Sequence, residues 1–330
     1  MPGTDHEVTL VNFDELASYW LSSESALRWN CLFVLPPWLE VWWREFGAAA
    51  NPYLCAVRQR GAPIGVAPLL IKEEEACFIG SADLCDFLDF VLTPGREHDF
   101  FNILLDDLVR RGVRRLSLRP LRPDSTVLAH LAGIAQQRNY EVSCTVEDVS
   151  FELDLPSGWE EYLGMLNQKQ RHEVRRKLRR LGERGAVTYR IVDDSREAVP
   201  DALEVFFKFF RESNTDKDIF LTAERESFFR SLRAALARAH LLRMGILELD
   251  AQPVAVTMCF DYQGTVYLYN NGYDPLYSSL SVGLVSKILC IKDSIERGRV
   301  RFDFLKGAEE YKHRLGGKEV PLHGCEIVLR

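Results

Sequence analysis

One short sequence pattern occurs twice in the chain. Residues 53–69 read YLCAVRQRGAPIGVAPL, and residues 244–258 read MGILELDAQPVAVTM. Each stretch contains two apolar runs rich in valine, isoleucine and leucine, separated by a short turn that ends in Pro63 or Pro253. Turn residues between two such runs predict a β-hairpin. A proline is tolerated at the start of the second strand, because that position need not donate to the ladder.

The similarity continues downstream of both hairpins. Pro253 lies 190 residues after Pro63, and Gly298 lies 186 residues after Gly112, so the spacing is nearly constant. Apolar residues at helical spacing predict one helix before each of these glycines, and a glycine is a common helix end. The predicted pairs are helices 97–111 and 282–297, followed by strands 114–118 and 300–304, and strand 265–269 precedes the second helix.

The chain therefore reads as two βββαβ units, an α/β (α+β) fold with mixed sheets. We predict a first unit over residues 1–150 and a second over 151–330, with the C-terminal strand free to return to the first unit. A strand that starts at Val149 marks the seam. Additional helices are predicted at 14–30, 36–47, 157–184, 197–213 and 222–239.

Composition excludes several classes of protein. The 330 residues are 47% hydrophobic and 27% charged, which is enough apolar surface for a core and excludes disorder as the main state. The opening residues lack a signal-peptide pattern, and no run of about 18 apolar residues predicts a membrane span. The eight cysteines form no CxxC pair and the seven histidines no cluster, so we expect no metal site. These features predict a cytoplasmic protein with reduced thiols.

The net charge of −7 hides a strongly basic segment. Residues 169–184 contain eight Lys/Arg and two Glu, a local charge of +6 against −13 in the rest of the chain. Arg171, Arg175 and Arg179 form one row at i, i+4 spacing, where like charges repel. This pattern favours an anionic ligand, such as the phosphates of coenzyme A, of a nucleotide-linked acceptor or of tRNA. The alternative is a solvated face paired with acidic patches of the same chain.

Five strings in order resemble the tandem branch of the GNAT (GCN5-related N-acyltransferase) superfamily, which includes CelD/BioF2-like acetyltransferase domains and the FemAB transferases. They span about residues 36–312. The strings are PWLEVWWREFG (37–47), DFLD (86–89), NQKQRHEVRRKLRRL (167–181), GYD with SVG (272–274 and 281–283) and FDFLKGAEEYK (302–312). The resemblance implies two tandem GNAT-like units and an acyl-CoA donor.

The resemblance places the donor phosphates near Lys169, Arg171, Arg175, Ser281 and Gly283. In the superfamily, a glycine-rich loop at a helix N-terminus holds the pyrophosphate, because free N–H groups and the helix dipole attract anions. The matching loop here, YSSLSVGL (277–284), has one glycine and no Gln or Arg at its head. Aminoacyl-tRNA, the donor of the FemAB branch, therefore stays open as an alternative to coenzyme A.

Further candidates are polar residues in apolar surroundings. Asp86 and Asp89 lie in an apolar run, where a carboxylate with a raised pKa can act as a base or hold an amine; the alternative is that both face solvent or a turn. The FemAB resemblance assigns charge stabilisation at the reacting carbonyl to Lys312, and a structural ion pair is the alternative. The predicted substrate-binding residues are Asn271, Tyr273, Asp303 and Tyr311.

These observations predict an N-acyltransferase that moves an acyl group to an amine. We expect direct attack on the thioester, because no activated Cys or Ser is apparent. The acceptor is expected in a cleft between the units, facing Asp86, Asp89 and Lys312. The resemblance alone suggests an amino sugar or an envelope or polysaccharide precursor as acceptor. The alternatives are a transferase that uses aminoacyl-tRNA and a non-catalytic partner in polysaccharide biosynthesis.

Overall fold

A computed structural model describes residues 6–192, 202–213 and 215–329 of the chain. It divides into two compact units. Unit 1 contains residues 6–149 and 320–329, and unit 2 contains residues 150–319. No helix within these ranges is both long enough and apolar enough to cross a membrane. The same ranges contain no group of three or more His, Cys, Asp or Glu side chains placed to hold a metal ion.

Unit 1 is a mixed sheet with helices that pack on it. Its strands are β1 (His6–Leu10), β2 (Asn51–Gln59), β3 (Ala62–Lys72), β4 (Glu75–Phe78), β5 (Val91–Leu92), β6 (Arg115–Leu121) and most of β7 (Glu141–Asp154). Its helices are α1 (Phe13–Leu21), α2 (Pro36–Phe46), α3 (Glu97–Arg110) and α4 (Ala132–Gln137). The strand order is β1-β2-β3-β4-β6, followed by the C-terminal strand and β7.

Unit 2 repeats this plan. Its helices are α5 (Trp159–Met165), α6 (Gln168–Gly182), α7 (Ala202–Ser213), α8 (Thr215–Phe220), α9 (Ala223–Arg238), α10 (Val282–Glu296) and α11 (Glu310–Arg314). Its strands are β8 (Val187–Val192), β9 (Leu242–Leu249), β10 (Gln252–Tyr262), β11 (Thr265–Tyr273) and β12 (Arg301–Lys306). They follow the order β12-β11-β10-β9-β8 beside the end of β7, and β13 (Lys318–Val328) lies almost wholly in unit 1.

The repeated hairpins are present in both units. The β2–β3 hairpin pairs Gln59 with Ala62 at its turn, and the β9–β10 hairpin pairs Leu249 with Gln252. Both turns contain residues with positive φ: Gly61 at +81° in the first, and Asp250 and Ala251 at +51° and +62° in the second. The predicted helices at 97–111 and 282–297 are α3 and α10.

Three predicted boundaries were wrong. The helix expected at 157–184 is two helices, because Leu166 is extended and Asn167 starts α6 as an N-cap that accepts a hydrogen bond from Gln170 N at 2.9 Å. The helix expected at 14–30 ends at Leu21. No strand starts at Val149, since β7 runs without a break from residue 141 to 154. Residues 197–201 of another predicted helix lie outside the described ranges.

The expectation that all eight cysteines are reduced is contradicted by one pair. Cys144 on β7 and Cys325 on β13 form a disulfide within unit 1, with their Cα atoms 4.2 Å apart. The two cysteines are 181 residues apart in sequence, so only the return of β13 to unit 1 brings them together. The other six cysteines are free thiols.

Candidate functional site

The candidate site in unit 2 begins where two parallel strands separate. β11 and β12 pair from Thr265↔Arg301 to Tyr267↔Asp303, and β11 then continues to Tyr273 without a β12 partner in the described residues. On its other side, β11 stays paired with β10. The separation of β12 from β11 beyond Tyr267 therefore creates a place where an extended ligand could lie beside β11 as a strand does.

A β-bulge marks the same part of β11. Met258 pairs with Asn270 and Cys259 with Leu268, so Tyr269 has no residue directly opposite it on β10. A bulge bends the strand and re-aims its backbone groups, and bulges are frequent next to active sites. The predicted substrate residue Asn271 lies just beyond the bulge, opposite Thr257.

The N-terminus of α10 lies at the end of this strand. A 3-10 helix (Pro275–Leu280) leads into Ser281, whose φ of +57° turns the chain into α10. The Ser281 side chain does not cap the helix; its Oγ accepts a hydrogen bond from Lys177 Nζ at 2.8 Å. Gly283 packs against Tyr273 so closely that a Cβ would lie 2.7 Å from Cδ1 of the ring. The structure thus brings the predicted residues Tyr273, Ser281 and Gly283 together.

Lys177 was missed by the sequence analysis as an individual residue. Its ammonium and the positive end of the α10 helix dipole place positive charge at one point. Glu173, which also lies on α6, offsets part of this positive charge, because its carboxylate is 3.2 Å from Lys177 Nζ. The basic neighbours lower the pKa of Glu173 against the effect of burial. An anion bound at Ser281 would satisfy both the lysine and the helix end.

A pocket of about 380 Å³ continues from this point between α6, α10 and α11. Lys169, Glu173 and Lys177 line it from α6. Leu284 and Ile288 supply an apolar wall from α10, and Arg314 closes the α11 side. Glu310 also lines the pocket and pairs with Arg314, so a ligand with phosphate and hydrophobic parts would meet Lys169 and Lys177 beside the apolar wall.

The basic helix α6 is divided into two faces. Lys169 lies at the pocket, but Arg171 and Arg175 do not line it. Arg171 is half-buried, and the exposed Arg175 pairs with Glu160 at 2.9 Å. Of the three predicted phosphate ligands on this helix, the structure therefore places only Lys169 at the pocket that Lys177 also lines.

The C-terminal motif forms a tightly bonded turn after β12. Lys312 is 1% exposed, and its ammonium donates to the carbonyl oxygens of Leu305, Lys306 and Gly307 at 2.9, 2.7 and 3.0 Å. The carboxylate of Glu309 lies 2.9 Å from the same nitrogen. Leu305 and Gly307 have φ of +60° and +112°, so the lysine holds a turn that most residues rarely adopt.

Asp303 supports the same turn from the strand. Its Oδ1 accepts hydrogen bonds from Leu305 N at 2.7 Å and from Ser150 Oγ at 3.3 Å, and the residue is 1% exposed. The register of β12 against β7 shifts between Asp303 and Leu305. In this arrangement Asp303 and Lys312 position backbone groups at the end of β12.

A buried lysine joins α10 to α11. Lys287 donates to the carbonyl of Gly283 at 3.0 Å, and its Nζ lies 4.5 Å from the centre of the Tyr311 ring. Burial raises the pKa of Tyr311 well above its usual value. The sequence signal for Lys287 is a lone charge in the apolar run LVSKIL (284–289). Tyr311 and Gly283, both predicted from the resemblance, are thus linked through a residue that was not predicted.

The two predicted aspartates lie in unit 1. Asp89 accepts hydrogen bonds from Thr126 N at 2.9 Å, from Thr126 Oγ1 at 2.5 Å and from Phe90 N at 2.9 Å. It lines a pocket of about 190 Å³ together with Arg28 and Arg122. Asp86 is half-buried and does not line this pocket.

The pKa of Asp89 predicts a pH effect on stability. Burial raises this pKa to about 6, with a further contribution from Asp124, despite the opposing hydrogen bonds from Thr126 and Phe90. A raised pKa in the folded state adds stability that is complete below the unfolded pKa and is lost as the pH rises through about 6. At about 1.4 kcal/mol per pKa unit, the loss for Asp89 is roughly 2–3 kcal/mol.

Urea unfolding measures this effect. Between pH 4 and pH 7, the wild type should lose stability relative to Asp89→Asn by this amount, since the amide does not titrate. Asp148→Asn, at an exposed site in the same unit, should follow the wild type. If the difference in the free energy of unfolding between wild type and Asp89→Asn stays constant across this pH range, Asp89 has an ordinary pKa.

The opening seen in unit 2 is filled in unit 1 by its own chain. β4 and β6 pair in parallel from Glu75↔Arg115 to Cys77↔Ser117, and β4 ends at Phe78. Beyond that point Leu88 N donates to Pro120 O of β6 at 2.8 Å. Buried apolar side chains come with that segment: Leu84, Cys85, Phe87, Leu88 and Phe90.

The matching helix N-terminus in unit 1 also differs in charge. The first turn of α3 carries Glu97 and Asp99, and Glu97 Oε1 accepts a hydrogen bond from Gly95 N at 3.0 Å. These carboxylates complement the helix dipole and repel another anion. Within the described residues, the open strand edge with a basic helix N-terminus therefore belongs to unit 2.

Unit 2 has the GNAT acyltransferase fold: two parallel strands separate beside a bulged strand, and a helix N-terminus lies at the opening. Because unit 1 repeats this plan, the chain as a whole has a tandem, FemAB-like fold. Residues 168–313 match a family model described as an acetyltransferase (GNAT) domain. This range contains the strand opening, the α10 N-terminus and all of the pocket lining except Asn167, Arg314 and Leu315. No curated protein sequence matches the chain.

Solved structures with the same fold cover nearly the whole chain. FemX superposes with a TM-score of 0.65 at 12% identity, over 97% of this chain and 96% of that chain. A conserved protein of unknown function from Bacteroides thetaiotaomicron superposes with a TM-score of 0.59 at 13% identity, over 97% of this chain and 99% of that chain. The C-terminal domain of a putative lysylphosphatidylglycerol synthetase from Agrobacterium fabrum superposes with a TM-score of 0.58 at 11% identity, over 96% of this chain and 90% of that chain. Both units are thus included in these superpositions.

Proposed function

We propose that this chain is an N-acyltransferase that binds acyl-CoA in unit 2 and transfers the acyl group to an amine. The observation that carries the proposal is the α10 N-terminus, where Lys177 donates to Ser281 Oγ near the end of β11, beyond the part of β11 that pairs with β12. An acyl-CoA molecule has the two parts that these features suit. Its pantetheine arm carries amides that can pair with a strand edge, and its phosphates are anions.

The remaining residues of the site fit defined parts of this reaction. Lys169 and Lys177 would hold phosphate oxygens, and the apolar wall of Leu284 and Ile288 would cover the donor. Asp303 and Lys312 would fix the backbone at the end of β12, where the thioester is expected. Preorganised dipoles of this kind stabilise charge that develops on a carbonyl oxygen.

Direct attack of the amine on the thioester agrees with the state of the cysteines. Five of the six free cysteines are buried, and burial raises the pKa of the sixth, Cys77, to about 11. No described cysteine therefore combines exposure with an activated thiolate. We propose Asp89 as the group that holds or deprotonates the acceptor amine, because a carboxylate with a pKa of about 6 is ionised at neutral pH and is still basic.

A two-stage assay tests the proposal. Acetyl-CoA and longer acyl-CoAs are first screened for thermal stabilisation, and stabilising donors are then incubated with amino sugars and amino acids while free thiol is measured. We expect stabilisation by at least one acyl-CoA and amine-dependent thiol release that falls in Asp89→Asn. Stabilisation without turnover for any amine would favour a non-catalytic role in polysaccharide biosynthesis.

Aminoacyl-tRNA is the second candidate donor, and the FemX-like fold is compatible with it. Both donors present phosphates, but they differ in the group that reaches the strand edge. Competition separates them: an acyl-CoA that stabilises the chain should resist displacement by aminoacyl-tRNA. Stabilisation by aminoacyl-tRNA alone, together with transfer of its amino acid to an amine, would replace the coenzyme A proposal.

A further inference from the structure

The outer face of α6 has no role in the donor site. At 100° per residue, Arg175, Arg176, Arg179 and Arg180 lie on the side of the helix opposite the buried Val174. All four are exposed, and none lines the pocket between α6 and α10. We call these four residues the outer basic face.

Local ion pairs do not neutralise this face. Arg175 pairs with Glu160 at 2.9 Å, Arg176 with Glu173 at 2.7 Å and Arg179 with Glu183 at 3.6 Å. These arginine side chains are between 45% and 70% exposed, and exposed pairs of this kind contribute little and exchange readily. The helix keeps an excess of positive charge, with seven Lys/Arg and one Glu in residues 168–182.

Exposed apolar side chains occur on the 3-10 helix that contacts α6 and on the segments that precede and follow α6 in sequence. Leu276 is 87% exposed, the highest value among the exposed large hydrophobic residues of the described chain. It precedes Tyr277, which packs against the same buried apolar cluster as Leu178 of α6. Met165, 50% exposed, lies three residues before the helix, and Val187, 38% exposed, lies five residues after it.

We propose that the outer basic face and Leu276 bind the surface of an anionic lipid membrane. Basic side chains bind lipid headgroups, and apolar side chains at their edge enter the boundary with the acyl chains. An RNA would use the charge but would gain nothing from exposed leucine and methionine. The charge of −13 outside residues 169–184 would be repelled by the same membrane, which orients the chain with α6 towards the lipid.

Vesicle co-sedimentation of the full chain without substrates tests this proposal. We expect binding to phosphatidylcholine vesicles that contain about 30% phosphatidylglycerol, no binding to pure phosphatidylcholine, and a steep loss with salt. Arg176→Glu/Arg180→Glu should weaken binding at least ~10-fold through reversed charge. Leu276→Glu should also weaken it, roughly 5-fold or more, through the lost apolar contact.

The matched control is Arg238→Glu, an exposed arginine on α9, which should bind vesicles as the wild type does. All of these variants should keep the thermal stability of the wild type and its stabilisation by acetyl-CoA. A negative vesicle result would therefore contradict the membrane proposal without contradicting the proposed donor site. Equal sedimentation with neutral and anionic vesicles would overturn it. Loss of tRNA binding in the double variant with unchanged vesicle binding would assign the face to RNA instead.

Discussion

Replacing Lys177 by glutamate is expected to weaken acyl-CoA binding roughly 30-fold, or about 2 kcal/mol. The wild-type ammonium lies 2.8 Å from Ser281 Oγ at the first turn of α10, where donor phosphate is proposed to bind. The substitution removes a charge-assisted hydrogen bond and places a carboxylate beside Glu173 and the incoming anion. Isothermal titration with acetyl-CoA measures the change directly.

Lys72→Glu is the matched control for this prediction. Lys72 is an exposed lysine at the end of β3 in unit 1, so its reversal changes the net charge equally without touching the α10 N-terminus. If both variants weaken binding to the same extent, the effect comes from net charge, and the assignment of Lys177 is wrong. Lys177→Arg should retain most of the affinity, because it keeps a cation at the same point.

Lys312→Met is expected to lower the free energy of unfolding by about 3 kcal/mol. The substitution keeps the shape of the side chain but leaves the carbonyls of Leu305, Lys306 and Gly307 without their shared donor. Glu309 also loses its cation. Because these carbonyls lie in a turn with positive φ, the chain is poorly placed to form other bonds.

Urea unfolding at neutral pH measures this loss, with Lys318→Met as control. Lys318 pairs with Asp154 at 3.3 Å, but its side chain is 73% exposed, so the control should change stability by less than about 0.5 kcal/mol. If Lys312→Met lowers turnover while stability stays within that range, Lys312 acts on the substrate rather than on the turn.

The repeated hairpins show how much of the fold is predictable from sequence. Their turns, the apolar periodicity of α3 and α10 and the glycines at 112 and 298 are local signals, and local signals determine these elements. The break at Asn167 was missed because helical periodicity continues through it, although Asn167 and Gln170 form a recognisable capping box. The strand boundary at Val149 was misplaced because β7 has partners at both ends that are distant in sequence.

The candidate site was less predictable because its residues act through tertiary contacts. Ser281 and Gly283 could be singled out because they lie in the loop that corresponds to the phosphate-binding loop of the GNAT superfamily. Lys177, in contrast, is one of eight basic residues in its segment. Only its contact with Ser281, 104 residues away, distinguishes it from the others. The pairing of Cys144 with Cys325 was missed for the same reason, since no spacing rule connects residues 181 positions apart.

We propose that the chain has one donor site, in unit 2, because unit 1 fills its own strand opening with residues 84–90. Equilibrium titration of the full chain with the acyl-CoA that stabilises it most tests this claim directly. One molecule should bind per chain, and this binding should be weakened in Lys177→Glu and unchanged in Lys72→Glu. Two molecules per chain, or one molecule whose affinity ignores Lys177, would contradict it.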